Sequence, residues 1–367
     1  MKILMTSHYT LPHRGGIEII IEKLSMLLGN LGHEIQIIAT QIEGMEAYNT
    51  ASRKFIGIKA LDFLKKSGVH YPIFAPQALP MLFRATLWAD VVHSQGMLYL
   101  NTVAALLFAR LVKRRAVLTE HAGFVEYDRP ILNLLQNIAV QTLGRLSITL
   151  SQKIIVPDTI VREILQEKFK VPPEKIVQIP LGVDTMLFHP VSACEKMHLR
   201  QALGWDSRPK ILFVGNFVAR KRIPLLLEAL TEDMDLILCG EGTPPEHLPE
   251  NVLVYPALPH TELVKLYQAA DLFVVPSSVE TFSIVAFEAL SCGLPVIMTE
   301  DLAHLTIRQS GLVTFVAPNA LSLRQAMQEL LAQPEQLATI GAQSSKWVIE
   351  NYSWNKSVEL HLKIYLG

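Results

Sequence analysis

Short apolar runs recur along the chain, each followed by a longer stretch in which apolar residues return every three or four positions. Ile3–Met5, Ile35–Ala39, Val91–His93, Ala116–Thr119, Lys153–Val156 and Ile176–Ile179 read as strands in the first half. Ile211–Val214, Asp235–Cys239, Val252–Tyr255, Leu272–Val275, Val296–Met298 and Val313–Val316 read as strands in the second. Many are apolar throughout rather than alternating, as parallel strands covered on both faces require. Between the first two, Ile17, Ile20, Ile21, Leu24, Leu27, Leu28 and Leu31 keep a helical period that Gly32 ends. Strand–helix alternation predicts an α/β chain of doubly wound sheets. A dozen strands are too many for one comfortable sheet, so two Rossmann-like domains are expected.

The division is placed near Phe188-His-Pro190-Val191, with residues 1–190 as the first domain and 191–346 as the second. A helical stretch from Glu195 to Gly204 opens the second domain. Residues 347–367 read as a terminal helix, with Ser353 a candidate N-cap. The stretch from Gln41 to Trp88 is uninformative. Its lysines and aromatics (Lys54, Lys59, Lys65, Lys66, Phe55, Phe63, Tyr71) read as a solvated face with scattered hydrophobes.

Composition narrows the function class. Of 367 residues, 50% are hydrophobic and 18% charged, enough apolar material for a sizeable core. A net charge of −1 gives no support to general nucleic-acid binding. The longest apolar run, Met97 to Val112, is broken by Asn101 and Arg110 and falls short of the ~20 residues of a membrane span. Three scattered cysteines suggest no disulfide framework or metal spacing, and a cytoplasmic setting is the simpler expectation.

The stretch with the most chemical content is Pro276-Ser-Ser-Val-Glu280-Thr-Phe-Ser283-Ile284-Val-Ala-Phe-Glu288-Ala-Leu-Ser-Cys-Gly293-Leu-Pro295, directly after an apolar strand. It predicts a loop, a helix with Ser283 as N-cap, and a stop at Gly293. An anion at the helix start would meet free N–H groups and the positive dipole end. Glu288 would lie about 7.5 Å along the helix and Glu280 on the other side of the anion. Such an arrangement suits a ligand with hydroxyls at both ends and phosphate between. A basic cluster, Arg220-Lys221-Arg222, follows Gly215-Asn216 at another helix start, where cations are unfavourable unless an anion is present. Gly240-Glu-Gly242 follows a third strand. The paired Gly15-Gly16 precede the first helix and allow close backbone approach to a ligand.

Glu280-x7-Glu288 with Ala-Leu-Ser-Cys-Gly-Leu-Pro-Val resembles the E-x7-E signature of retaining glycosyltransferases of the GT-B fold, family 4 above all. Gly15-Gly16-Ile-Glu18, Asp90-Val-Val-His93-Ser-Gln95, Glu120-His121-Ala-Gly123 and Pro180-Leu-Gly-Val-Asp184 resemble further landmarks of that family in the same order. The resemblance implies two Rossmann-like domains facing a cleft, with the terminal helix crossing back to the first domain. It implies that Glu280 faces the transferred sugar, Glu288 the ribose, and Gly15, Gly16, Lys221, Gly240, Ser283 and Ile284 the nucleotide diphosphate. His121 would contact the sugar or the acceptor; His93 is the weaker candidate and Glu120 the alternative base. Asn216 stands where the family has Arg, and Glu300–Thr306 replaces its Gly-Gly and Glu.

The implied donor is a UDP- or GDP-linked sugar, with no other cofactor and no metal. Asp233-Met-Asp235 lies just before a buried strand and far from the expected cleft, and is read as a solvated turn rather than a metal motif. The acceptor would be a glycan, a lipid-linked group or a small molecule, with peripheral contact at a membrane's inner face kept open. A nucleotide-sugar epimerase, a phosphorylase on the same fold, and a non-catalytic sugar-nucleotide-binding subunit are the alternatives.

Overall fold

The structure is a computed structural model that describes residues 1–13, 16–61, 71–121, 130–280, 282–302 and 306–367. Gly15, Phe63, Lys65, Lys66, Gly123 and His304, singled out in the sequence, lie outside the described residues. The chain divides into two units: Met1–Pro180 with Ser357–Gly367, and Leu181–Lys356.

The first unit is built on a seven-stranded sheet of order β3-β2-β1-β6-β7-β8-β9. Its elements run β1 (Lys2–Thr6), α1 (Gly16–Asn30), β2 (Glu34–Thr40), β3 (Arg53–Ile58), a small hairpin of β4 (Ala60–Leu61) and β5 (Ile73–Phe74), and α2 (Ala78–Trp88). They continue with β6 (Val91–Gln95), α3 (Leu100–Leu111), β7 (Arg115–Thr119), α4 (Pro130–Ala139), α5 (Arg145–Leu150), β8 (Lys153–Val156), α6 (Thr159–Phe169) and β9 (Ile176–Gln178). All pairings in the large sheet are parallel. Leu4, Ile38, Val92, Leu118, Ile154 and Val156 from its strands meet Leu106 and Leu165 from the helices in one buried cluster. A fully buried side chain of this kind stabilises by roughly 1.5–3 kcal/mol.

The second unit carries a six-stranded parallel sheet of order β12-β11-β10-β13-β14-β15. Its elements are α7 (Ala193–Ala202), β10 (Lys210–Val214), α8 (Ile223–Ala229), β11 (Asp235–Gly240), β12 (Val252–Pro256), α9 (His260–Ala269) and β13 (Leu272–Val275). After them come α10 (Ile284–Ser291), β14 (Val296–Thr299), β15 (Val313–Val316), α11 (Ala320–Leu331), α12 (Pro334–Tyr352) and α13 (Trp354–Leu366), whose last turns belong to the first unit. No helix among the described residues is long and apolar enough to cross a membrane.

Four expectations need correction. The stretch Gln41–Trp88 is more than a solvated face: Arg53–Ile58 forms β3, the edge of the first sheet, with Phe55 and Ile58 buried. Arg, Lys and Gly in that strand hid it. The units part at Pro180 rather than Pro190, because Val183 N–H bonds to Tyr352 O and Phe188 packs edge-on against Tyr267, both within the second unit. The terminal helix is two helices. α12 stops at Tyr352 and α13 begins after Ser353, whose hydroxyl accepts the Lys356 N–H at 3.3 Å. Finally, Asp235 is no solvated turn residue. It is buried at the start of β11, accepts from the buried Lys210 at 2.6 Å and is ion-paired with Arg208 at 3.0 Å.

Candidate functional site

In a parallel sheet every strand ends on the same edge, and loops leaving that edge gather there. In the second unit the loops after β10, β11 and β13 carry the sequence-singled residues. Gly215 N–H donates to Cys239 O at 2.9 Å and Phe217 N–H to Glu241 O at 2.7 Å, stitching the first two loops together. Contact is so close that a Cβ on Gly240 would fall 1.9 Å from the Gly215 carbonyl oxygen. Only glycine fits there.

Lys221 lies in a single turn of 3-10 helix, Ala219–Lys221, and is buried. Its ammonium is bonded to Glu280 and passes within 3.6 Å of where a Gly215 Cβ would stand. Arg222 takes a left-handed conformation at φ 51° and turns away to pair with Asp301. Arg220 is half-exposed, 3.9 Å from Glu280. Of the two arginines that could replace the charge missing at Asn216, Arg220 is thus the one on the Glu280 side. Asn216 itself is exposed.

α10 starts at Ile284, and Ser283 occupies the cap position, but its hydroxyl makes no capping bond. The expected cap is absent; Ser283 Oγ is buried and, among the described residues, has no partner. Ser277 Oγ, earlier in the same loop, is likewise buried and unpartnered. A buried polar atom left unpaired costs about 1–3 kcal/mol, so such atoms mark places where a ligand or water completes the structure. α10 is fixed in depth by Phe287, which stacks on Phe282 at 4.6 Å and meets Tyr352 at 4.3 Å. A Cβ on Gly341 of α12 would come 2.2 Å from Gly293 O, so these two elements touch backbone to backbone.

Glu288 sits in the second turn of α10, almost wholly buried. Tyr267 donates its hydroxyl to Glu288 Oε2 at 3.0 Å, and His260 Nε2 lies 4.0 Å from Oε1. Burial raises its pKa from 4.5 to about 7, with the Tyr267 bond opposing. The carboxyl therefore changes charge near neutrality. Lys221 and Glu280 are brought into contact, while Glu288 is held by its own partners. Tyr267 and His260 were not legible as site residues, since they belong to a helix with no motif of its own.

In the first unit, Gly16 opens α1 with open space around its Cα. Glu18, in the same first turn, is buried and accepts from His13 at 3.0 Å, with His8 Nε2 3.9 Å away. His93 is enclosed in the middle of β6, not at a strand end: Nδ1 faces Tyr365 Oη at 2.7 Å and Nε2 faces Thr119 Oγ1 at 2.6 Å. His121 follows β7, with Nε2 2.7 Å from Gln95 Oε1. Burial first, then the neighbouring His8 and His361, lowers its pKa to about 3, so it is neutral. Glu120 is occupied in holding the Met97 N–H at 2.8 Å.

Comparison with known proteins agrees with this architecture. The family model described as Glycosyltransferase Family 4 matches residues 14–187, and that described as Glycosyl transferases group 1 matches 195–347. The chain belongs to the group 1 and family 4 glycosyltransferases. A D-inositol 3-phosphate glycosyltransferase of Segniliparus rotundus is 34% identical over 200 residues, 48% of this chain and 44% of that protein. The chain thus spans less than half of that relative's length. An uncharacterized glycosyltransferase of Methanocaldococcus jannaschii is 27% identical across 100% of this chain and 98% of its own. The solved structure of Anabaena HepE in complex with UDP superposes with a TM-score of 0.78 at 15% identity, covering 99% of both chains. The fold is GT-B.

Proposed function

We propose that this glycosyltransferase moves a sugar, with retention of configuration, from a nucleotide-diphosphate sugar held by the second unit. The observation that supports it best is the start of α10, where the buried hydroxyl of Ser283, unpaired among the described residues, lies in one loop with Glu280, itself bonded to Lys221. An incoming diphosphate would take the Lys221 ammonium, the Ser283 hydroxyl and the positive end of the α10 dipole, where the Ile284 N–H now bonds to Phe282 O at 3.0 Å. Release of Glu280 from Lys221 would leave its carboxylate for the sugar hydroxyls. Glu288 would accept from the ribose hydroxyls. Gly215 would let the backbone approach the nucleotide, Gly240 would keep the next loop packed against Gly215 beside it, and Asn216 would contribute a neutral hydrogen bond in place of a charge.

The diphosphate is the leaving group, so charge grows on it as the glycosidic bond breaks. Lys221, Arg220 and the α10 dipole are fixed before the reaction and favour that charge in the transition state. This stabilisation requires no metal ion. By the family resemblance, Gly16 of the first unit would serve the phosphates and His121 the sugar or the acceptor. The apolar stripe of Ile131, Leu134, Leu135 and Ile138 on α4 is exposed and is the face a peripheral membrane contact would use.

The test is product analysis. UDP-, GDP- and ADP-linked sugars are incubated with inositol phosphates, suggested by the name of one relative, and with lipid and glycan extracts, in EDTA. A new glycoside with the donor's anomeric configuration is expected. An epimerised donor without transfer, or turnover only on adding free phosphate, would instead favour an epimerase or a phosphorylase. Loss of transfer in EDTA, restored by Mn²⁺, would overturn the metal-independent reading.

A further inference from the structure

The hydrogen bonds around His121 determine which of its nitrogens carries the proton. Nε2 lies 2.7 Å from the Gln95 carbonyl oxygen, which can only accept. Nε2 is therefore protonated. The amide nitrogen of Gln95 lies 3.2 Å from His93 Nε2. An amide NH₂ only donates, so His93 Nε2 is a lone pair, and the Thr119 hydroxyl donates to it as well at 2.6 Å. His93 then carries its proton on Nδ1 and donates it to Tyr365 Oη at 2.7 Å. His361, 5.6 Å from His93 between ring centres, donates from Nδ1 to Ser357 O at 2.8 Å and stays outside this chain. Burial holds His93 and His121 neutral. The remaining nitrogen of His121, Nδ1, is buried and unpartnered among the described residues.

We propose that Gln95 is a positioning residue: its amide holds His121 as the Nε2–H tautomer and so leaves Nδ1 as an acceptor for a substrate hydroxyl. This rests on the reading of His121 as a residue that faces the sugar or acceptor. The chain of bonds has one control point. Turning the Gln95 amide over would place a donor on His121 Nε2 and an acceptor on His93 Nε2. Both imidazoles would then exchange tautomers together, and His121 would offer a donor, not an acceptor, at Nδ1. Tyr365, at the far end, would change from acceptor to donor. The tautomers of His121 and His93 are thus opposite in either state, with the amide deciding which.

The experiment is long-range ¹H–¹⁵N correlation on the full chain labelled with ¹⁵N-histidine, with His121 and His93 assigned from His121→Ala and His93→Ala spectra. In the unsubstituted protein His121 is expected as Nε2–H and His93 as Nδ1–H. In Gln95→Glu the carboxylate accepts from both rings, so His121 stays Nε2–H while His93 converts to Nε2–H. In Gln95→Leu the preference at His121 is lost. An Nδ1–H His121 in the unsubstituted protein, or an unchanged tautomer in Gln95→Leu, overturns the proposal. If Gln95→Leu does not fold, the conversion of His93 alone, with His121 unchanged, in Gln95→Glu carries the same decision.

Turnover separates this from the wider functional reading. Gln95→Leu should lower kcat by about tenfold, the loss of one hydrogen bond in the transition state, with Gln95→Glu retaining more activity. Full turnover in His121→Ala would sink the role of His121 while leaving the tautomer result standing.

Discussion

Glu288 carries the clearest consequence at the scale of a single residue. Its carboxyl titrates near 4.5 when unfolded and near 7 when buried beside Tyr267. Between those values the folded protein holds the extra proton, so this group's contribution to stability falls as pH rises from about 4.5 through 7. Binding has the opposite sign, because the ionised carboxylate is the stronger acceptor for ribose hydroxyls. Nucleotide affinity should rise with pH through about 7, by up to roughly tenfold per unit below that value. Titrations from pH 6 to 8.5 check this. Glu288→Gln should flatten the profile, and an equally steep profile in that variant would assign the dependence elsewhere. The acids and cation of this site were legible because helix starts and charge placement have sequence signatures. Their partners were not. Tyr267 reaches Glu288 from a neighbouring helix, and nothing in the local pattern around it announces a bond formed only by packing.

At the scale of elements, the site depends on backbones that nearly touch. Gly240 is held against the Gly215 carbonyl, and Gly341 against Gly293. Substituting Gly240→Ala forces the loops after β10 and β11 apart, at an expected cost of about 2 kcal/mol or more. Thermal unfolding should show a lower Tm, and nucleotide binding should weaken at the same time. Unchanged Tm and binding would mean that these loops are freer than their contacts imply. Gly240 was recognisable after its strand, although the sequence could not say that a carbonyl, not a ligand, already stands within 2 Å of its missing side chain. The strands were readable because parallel strands buried on both faces are apolar throughout. β3 was not, since an edge strand tolerates Arg53, Lys54 and Gly57 and loses the continuous apolar signal. Ser283 shows the reverse: its residue type fits a helix cap, yet its hydroxyl makes no capping bond and has no partner among the described residues.

For the molecule as a whole, the chain order does not match the division into units. Ser357–Gly367 belongs with Met1–Pro180. Val358, His361, Ile364 and Tyr365 are buried there, and Tyr365 holds His93. Ending the chain at Lys356 removes three buried apolar or aromatic side chains, roughly 4 kcal/mol or more of burial. Limited proteolysis of the shortened protein should cut first within residues 1–180, while 181–356 persists. Cleavage unchanged from the full chain would show that the terminal segment adds little. The central claim, however, is that the loop and helix spanning Glu280 to Glu288 form a nucleotide site. Isothermal titration of UDP, GDP and ADP into the full chain and into Glu288→Ala and Lys221→Arg tests it most directly. At least one nucleotide should bind the unsubstituted protein, with Glu288→Ala weakening it more than Lys221→Arg. Binding that is absent for all three, or indifferent to both substitutions, would contradict the account.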